Sequence, residues 1–202
     1  MNDGAFGAVF ASTTTLPSTM RTPSLATFAA LLVALNTQAQ DKPSVGEITR
    51  KIIEAVNHYT AAIACQREDV TAKDIASLAP YAVNDAFQPT GTYAVIWDGD
   101  IDCGGVAGSV TSNIAIVTIS PATRQFHVVP ALSSPQVGLD LPLAYRHRIV
   151  GNTADTLTLE GLFWDPSHDA LCCPSARIQY TMKRDDRNNW AIVDKHDLGP
   201  KK

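Results

Sequence analysis

Three acidic side chains at alternate positions are the first group in the sequence that could do chemistry. Asp98, Asp100 and Asp102 follow the pattern by which the first half of an EF-hand loop presents oxygen ligands to calcium. The EF-hand match ends there, because Cys103 stands where that loop needs glycine and Ser109 stands where it needs a bidentate glutamate. These three carboxylates therefore remain weak candidates for a looser metal site, and the alternative is a solvated loop between two strands.

A second group combines an imidazole with carboxylates. His168 lies between Asp165 and Asp169, and these are the groups of a general base or of a metal site. No G-x-S-x-G turn and no H-E-x-x-H helix is present to complete a known catalytic set. Together with the acidic loop at 98–102, this group supports the hypothesis of a hydrolase-like or metal-dependent enzyme. The competing interpretation is a polar turn that begins at Asp165-Pro166.

The four cysteines form the third group. Cys65, Cys103, Cys172 and Cys173 are an even number, which predicts two disulfides in an oxidising compartment. A bond between adjacent cysteines strains the peptide that joins them, so we expect Cys65 and Cys103 each to bond with one member of the 172–173 pair, in either order. The alternative is a Cys172–Cys173 bond that acts as a redox switch, since strained disulfides are the reducible ones. Zinc and thioredoxin-like chemistry are disfavoured because no C-x-x-C spacing occurs.

The remaining arginine and histidine residues of the chain are weaker indications of a binding site. Arg146 and Arg148 are two residues apart and would share one face of a strand, where they could bind an anion or remain as solvated charges at a sheet edge. His147, which lies between them, is expected at the surface, like the other scattered histidines.

Helical patterns occupy the first part of the mature chain. Ser44 and Glu47 form a capping box, and an apolar stripe follows at a spacing of three or four residues, so the pattern predicts a helix from Ser44 to about Cys65. Thr71 and Asp74 repeat the capping pattern and predict a short second helix, which Pro80 should end.

After Pro89 the pattern changes to strands. Short runs rich in β-branched and aromatic residues predict about seven strands, at 93–97, 113–119, 125–129, 143–150, 156–163, 176–183 and 190–194. No helical pattern separates them, so parallel crossovers are not expected. The sequence therefore predicts an α+β fold, with the N-terminal helix packed on a curved, mostly antiparallel sheet of about seven strands.

The N-terminal residues predict export. Met20 and Arg21 precede an apolar run from Leu25 to Leu35, and small residues at Thr37 and Ala39 suit signal peptidase. We expect Met20 to be the true start, residues 1–39 to be an upstream extension and signal peptide, and cleavage to follow Ala39. The mature chain, residues 40–202, is then a single disulfide-containing domain in the periplasm or outside the cell.

Two segments of the mature chain resemble small, uncharacterised exported proteins of Gram-negative bacteria. The resemblance rests on DPSHDALCCPS at 165–175, which contains the Cys-Cys-Pro-Ser motif, and on GDIDCGG at 99–105. It covers the chain from Val70 onward. It implies a periplasmic location and paired cysteines, and it implies no activity and no catalytic residue.

Composition narrows the classes of partner. The 202 residues are 45% hydrophobic and 18% charged, with a formal net charge of -4, which argues against a disordered chain and gives no basic field for nucleic acid or an anionic bilayer. The apolar run at 25–35 is shorter than a membrane span needs. We expect no cofactor and a monomer. The leading hypothesis is a non-enzymatic binding module for a protein or small-molecule ligand.

Overall fold

The structure is a computed structural model that describes residues 42–104, 110–135, 144–163, 165, 167–170 and 174–200. For residues 144–146 only the backbone is described. All of the described residues belong to one compact unit, Lys42–Lys202.

One α-helix and nine strands make up the regular structure of these residues. The helix is α1, Val45–Ile63. The first five strands are β1 Gln66–Arg67, β2 Ile75–Val83, β3 Pro89–Asp100, β4 Thr111–Ile119 and β5 Phe126–Val128. The other four are β6 Ala144–Asn152, β7 Thr156–Phe163, β8 Ala176–Arg184 and β9 Trp190–Pro200. Two 3₁₀ turns, Ala72–Asp74 and Pro130–Leu132, complete the set.

Helix α1 begins where its capping residue predicts. The hydroxyl of Ser44 accepts a hydrogen bond from the backbone N–H of Glu47 at 3.1 Å, which satisfies one of the free donors of the first turn. Glu47 also pairs with Lys51 at 2.8 Å along the exposed face of the helix. The opposite face buries Ile48, Ile52 and Val56. The predicted helix is therefore present, and it ends at Ile63.

The predicted second helix is wrong. The reciprocal capping contacts of Thr71 and Asp74 are present, and the backbone N–H of Thr71 donates to the Asp74 carboxylate at 2.7 Å. They close only a single 3₁₀ turn, because Ile75–Val83 continues as strand β2 and pairs with β3. In that strand Ala76 and Leu78 are buried at a spacing of two residues, so packing on one face of a sheet prevails over the local helix signal.

The strands form two antiparallel sheets instead of the single sheet expected from the sequence. Sheet A has the order β1-β3-β4-β5, with β2 also paired to β3. Sheet B has the order β6-β7-β8-β9. Strands β1 and β2 were not predicted, while the seven predicted strands all have counterparts, of which β3 and β9 extend well beyond their predicted ends.

Sheet A has buried side chains on both faces. One face shares a buried cluster with sheet B, which includes Ala94, Ile96, Ile114 and Ile116 from sheet A and Leu157, Leu159, Ile178, Tyr180 and Met182 from sheet B. The other face shares a second cluster with α1, which includes Ile48, Ile52 and Val56 from the helix and Tyr93, Val95, Trp97, Ala115 and Val117 from the sheet. We call these the sandwich core and the helix-side core. Because both faces of sheet A are covered, the central parts of β3 and β4 are nearly continuous runs of apolar residues in the sequence.

A disulfide joins Cys65 to Cys103, with a Cα–Cα distance of 5.3 Å. It links the residue after the C-cap of α1 to the segment that follows β3. The expected pairing of these two cysteines with Cys172 and Cys173 is therefore wrong. The short pairing of β1 with the end of β3 brings Cys65 and Cys103 together, since Gln66 lies opposite Asp100 and the backbone N–H of Cys65 donates to the carbonyl of Asp100 at 3.0 Å. Cys172 and Cys173 lie outside the described residues.

The helix found in the described residues does not have the length and apolar content that crossing a membrane requires.

Candidate functional site

The segment at 165–169 forms a hydrogen-bonded turn. The Asp165 carboxylate accepts hydrogen bonds from the backbone N–H of Ser167 at 2.9 Å and from the Ser167 hydroxyl at 2.5 Å, and it lies 2.9 Å from Nδ1 of His168. The Asp169 carboxylate accepts from the backbone N–H groups of Asp165 and Ser175, at 2.8 and 2.9 Å. The hydrogen bond from the Ser167 hydroxyl is the main reason why the pKa of Asp165 is lowered to about 2.

The geometry of this turn differs from that of a catalytic relay. In a relay the carboxylate binds one ring nitrogen of histidine, and the nucleophile binds the other. Here both the Ser167 hydroxyl and the Asp165 carboxylate contact Nδ1 of His168, each at 2.9 Å. The His168 side chain is 76% exposed. The arrangement is therefore a polar turn in which one ring nitrogen of His168 contacts both the serine and the carboxylate.

The three candidate metal ligands occupy different environments. Asp98 accepts a hydrogen bond from the Ser112 hydroxyl, Asp100 is fully buried at the end of β3, and Asp102 is exposed beyond the strand. The backbone N–H of Gly104 donates to the Asp100 carboxylate at 3.3 Å. Among the residues that the structure describes, no group of three or more His, Cys, Asp or Glu side chains is placed to hold a metal ion.

The acidic loop and the 165–170 turn belong to different sheets. The loop after Asp100 joins β3 to β4 in sheet A, whereas the turn lies in the connection from β7 to β8 in sheet B.

Arg148 belongs to an ion-pair network on sheet B. Its guanidinium donates to Glu160 at 2.7 Å, and Arg177 donates to the other oxygen of the same carboxylate through two nitrogens, at 2.9 and 2.6 Å. The hydrogen bond from Arg148 is the largest of the effects that hold the pKa of Glu160 below its ordinary value. Arg148 is thus engaged within the sheet. The side chain of Arg146 lies outside the described residues.

His147 is buried, contrary to the surface position expected from the sequence. It is 6% exposed, and its ring contacts Tyr180 of the sandwich core. Ile149, two residues further along β6, packs against the same core, so alternation along the strand places His147 on the core face and Arg148 on the opposite face. The alternation of His147 with the two arginines is the sequence signal that could have found this position, since it separates the imidazole from their exposed face.

Strand β9 is mostly exposed along its length. Of its eleven residues only Trp190 is buried. Three of the eight exposed large apolar side chains in the described residues lie on it, namely Ile192, Val193 and Leu198. The sequence pattern had predicted only its first five residues, through Asp194.

The register shows that β9 extends beyond the sandwich core. Ile192 is opposite Met182, Lys195 is opposite Tyr180, and Asp197 is opposite Ile178. Directly paired residues share a face of the sheet, so these three β9 residues lie on the core side of sheet B. Their partners on β8 are buried, yet all three are exposed. We call the exposed set Ile192, Val193, Lys195, Asp197 and Leu198 the β9 overhang.

The backbone edge of β9 is protected against the addition of another strand. Register shifts next to Val193 and Leu198 place one extra residue on β9 at each point, and such bulges disrupt the regular spacing of edge donors and acceptors. Lys195 and Asp197 add charges on the core-side face, which also disfavour edge-to-edge pairing. The overhang therefore exposes side chains, while its backbone edge disfavours the addition of another strand.

Comparison of the chain with protein families, with curated proteins and with solved structures gives no match.

Proposed function

We propose that the chain is an exported, non-enzymatic interaction module that binds a protein partner through the β9 overhang. The observation that carries the proposal is the exposure of β9, whose ordered backbone buries one side chain out of eleven. Holding one residue of backbone in a single conformation costs about 1–2 kcal/mol of conformational free energy, and burial of apolar surface normally offsets that cost. A partner that covers Ile192, Val193 and Leu198 supplies the missing burial.

The chemistry of the overhang favours a protein as the partner. It combines three exposed apolar side chains with one positive and one negative group, Lys195 and Asp197, and a mixture of this kind is typical of the boundary between a hydrophobic interface centre and its polar rim. Lys195 is also held near sheet B, with its ammonium 5.7 Å from the centre of the Phe163 ring.

Export is part of the proposal. The Cys65–Cys103 disulfide supports it, since disulfides persist in oxidising compartments, and the signal-peptide pattern before Gln40 would take the chain to the periplasm or the exterior. The module acts as a monomer until it meets its partner.

Cross-linking in the native host tests the proposal with a matched control. The double variant Ile192→Asp with Leu198→Asp charges the overhang, while Val83→Asp charges a side chain of sheet A that is 54% exposed. We expect wild type and Val83→Asp to form the same cross-linked species in the cell envelope, and the double variant to lose that species while it keeps its melting midpoint. An unchanged species in the double variant, or no specific species in wild type, would contradict the proposal.

The Cys65–Cys103 bond favours a second candidate function, the vicinal-cysteine switch. With both distant cysteines bonded to each other, Cys172 and Cys173 have no other cysteine of this chain to bond with. A disulfide between them would take two electrons and two protons from a dithiol to give two thiols. Thiol trapping at defined potentials tests this role, which requires reduction above about -300 mV.

A further inference from the structure

His147 and Tyr180 form a buried polar pair in the sandwich core. The two rings meet edge to face, with their centroids 5.6 Å apart and an interplanar angle of 78°. His147 is 6% exposed and Tyr180 is fully buried. Neither ring nitrogen of His147 has a hydrogen-bond partner in the described protein, and neither does the hydroxyl of Tyr180.

The pair joins two strands that are not neighbours. Tyr180 lies on β8 opposite Leu159, and β7 separates β8 from β6, which carries His147. His147 lies two residues before Ile149, which packs against the sandwich core, so alternation along β6 places the His147 ring on the same side as Tyr180. Leu159 lies opposite Tyr180 on β7, and Ile178 and Met182 share its face of β8, and these three side chains offer no hydrogen bond.

The three polar atoms define the chemistry of what they can bind. A neutral imidazole has one N–H donor and one nitrogen acceptor, and a phenol can both donate and accept. A charged ligand would lose its hydration among the surrounding apolar side chains without gaining an opposite charge. The complementary ligand is therefore small and neutral, and it both donates and accepts hydrogen bonds. Water has these properties, and buried waters in proteins make about three such bonds to otherwise unsatisfied groups.

We propose that His147 and Tyr180 bind an internal water molecule in the sandwich core, which is hydrogen-bonded to the Tyr180 hydroxyl and to one ring nitrogen of His147. The water connects β6 to β8 across β7. It also explains how the core contains an imidazole and a phenol, since unpartnered polar groups would otherwise destabilise it.

NMR exchange spectroscopy with the intact mature protein tests this site. We expect cross-peaks between a long-lived water and the ring protons of both His147 and Tyr180. The variant Tyr180→Phe removes one oxygen atom and keeps the shape of the ring, so it should fold. It should lose the water cross-peak at His147 and lower the melting midpoint by about 2–4 °C.

Tyr59→Phe is the matched control. The Tyr59 hydroxyl donates to the carbonyl oxygen of Ser134 at 2.5 Å, so its removal should leave the water signal at His147 unchanged. Absence of the cross-peaks in wild type would overturn the proposal. So would a Tyr180→Phe protein whose midpoint is unchanged or raised, which is the result for a hydroxyl with no hydrogen bond to lose.

Discussion

Burial of an imidazole ring changes which of its protonation states is stable. His147 has little contact with solvent, and loss of hydration penalises its charged form, so burial lowers its pKa from 6.5 to about 4. Its ring neighbour Tyr180 responds in the opposite sense, because burial raises the pKa of a phenol. Both side chains are thus held neutral over the whole physiological range of pH.

The stability of the protein should therefore decrease as the pH falls from about 6.5 to 4. In this window His147 gains a proton in the unfolded chain but not in the folded protein, which favours unfolding. The lowered pKa of His147 corresponds to about 3 kcal/mol in the free energy of unfolding. This stabilisation is fully present above pH 6.5 and is lost near pH 4. Denaturant unfolding across this range measures the effect.

The variant His147→Phe isolates this contribution from that of the carboxylates, which also titrate near pH 4. Its stability should change less than that of wild type between pH 6.5 and 4. Equal slopes for the two proteins would show that His147 is accessible to protons in the folded state.

At the scale of elements, helix α1 and strand β2 show when a local signal decides structure. Both segments begin with a capping pattern, and both caps form. In α1 the apolar residues recur at helical spacing, so the cap and the buried stripe agree. In β2 the residues after the cap alternate, and pairing with β3 buries Ala76 and Leu78. A cap therefore gives a helix only when the residues behind it have an apolar face of the same period.

Ile52 should be one of the most costly positions of α1 to truncate. It is 1% exposed and lies in the helix-side core, so Ile52→Ala removes buried methyl groups and leaves a cavity that costs about 2–5 kcal/mol. Val45→Ala, on the same helix but 80% exposed, should change stability by less than about 0.5 kcal/mol. Equilibrium unfolding in urea compares the two. Similar small effects at both positions would mean that α1 contributes little to the core.

At the scale of the whole molecule, sheet A is the central layer, because other elements pack on both of its faces. It shares the sandwich core with sheet B and the helix-side core with α1. The Cys65–Cys103 disulfide adds a covalent link between the end of α1 and the end of β3. Glycine is required close to this link, because a Cβ atom on Gly99 would lie 2.9 Å from the carbonyl oxygen of Gln66 and 2.4 Å from the Trp97 ring.

Peptide mapping without reduction should recover Cys65 joined to Cys103. The bond closes a loop with a sequence separation of 38 residues, so the double variant Cys65→Ser with Cys103→Ser should lose about 4 kcal/mol of stability in the chain-entropy model. A matched variant with serine at both 172 and 173 should lose less, since it leaves the Cys65–Cys103 bond in place. Peptides that join Cys65 or Cys103 to the 172–173 segment would contradict this connectivity.

The sequence by itself determined those features whose signal is local. The Ser44 cap and the helical stripe located α1, and alternation with turn residues located seven of the nine strands, including the hairpin of β8 and β9. The antiparallel pairing followed from the lack of helical segments between strands. The candidate residues Asp165, His168 and Asp169 lie close together because they are near neighbours in the chain.

Only the tertiary structure decided how those elements combine. The division into two sheets depends on which strands pair, and strand periodicity carries no information about partners. The same limit concealed the Cys65–Cys103 pairing, which follows from the contact of β1 with β3, and the exposure of β9, of whose residues only Trp190 belongs to the sandwich core. The burial of His147 depends on which face of β6 packs against that core, and alternation within one strand does not say which face is buried.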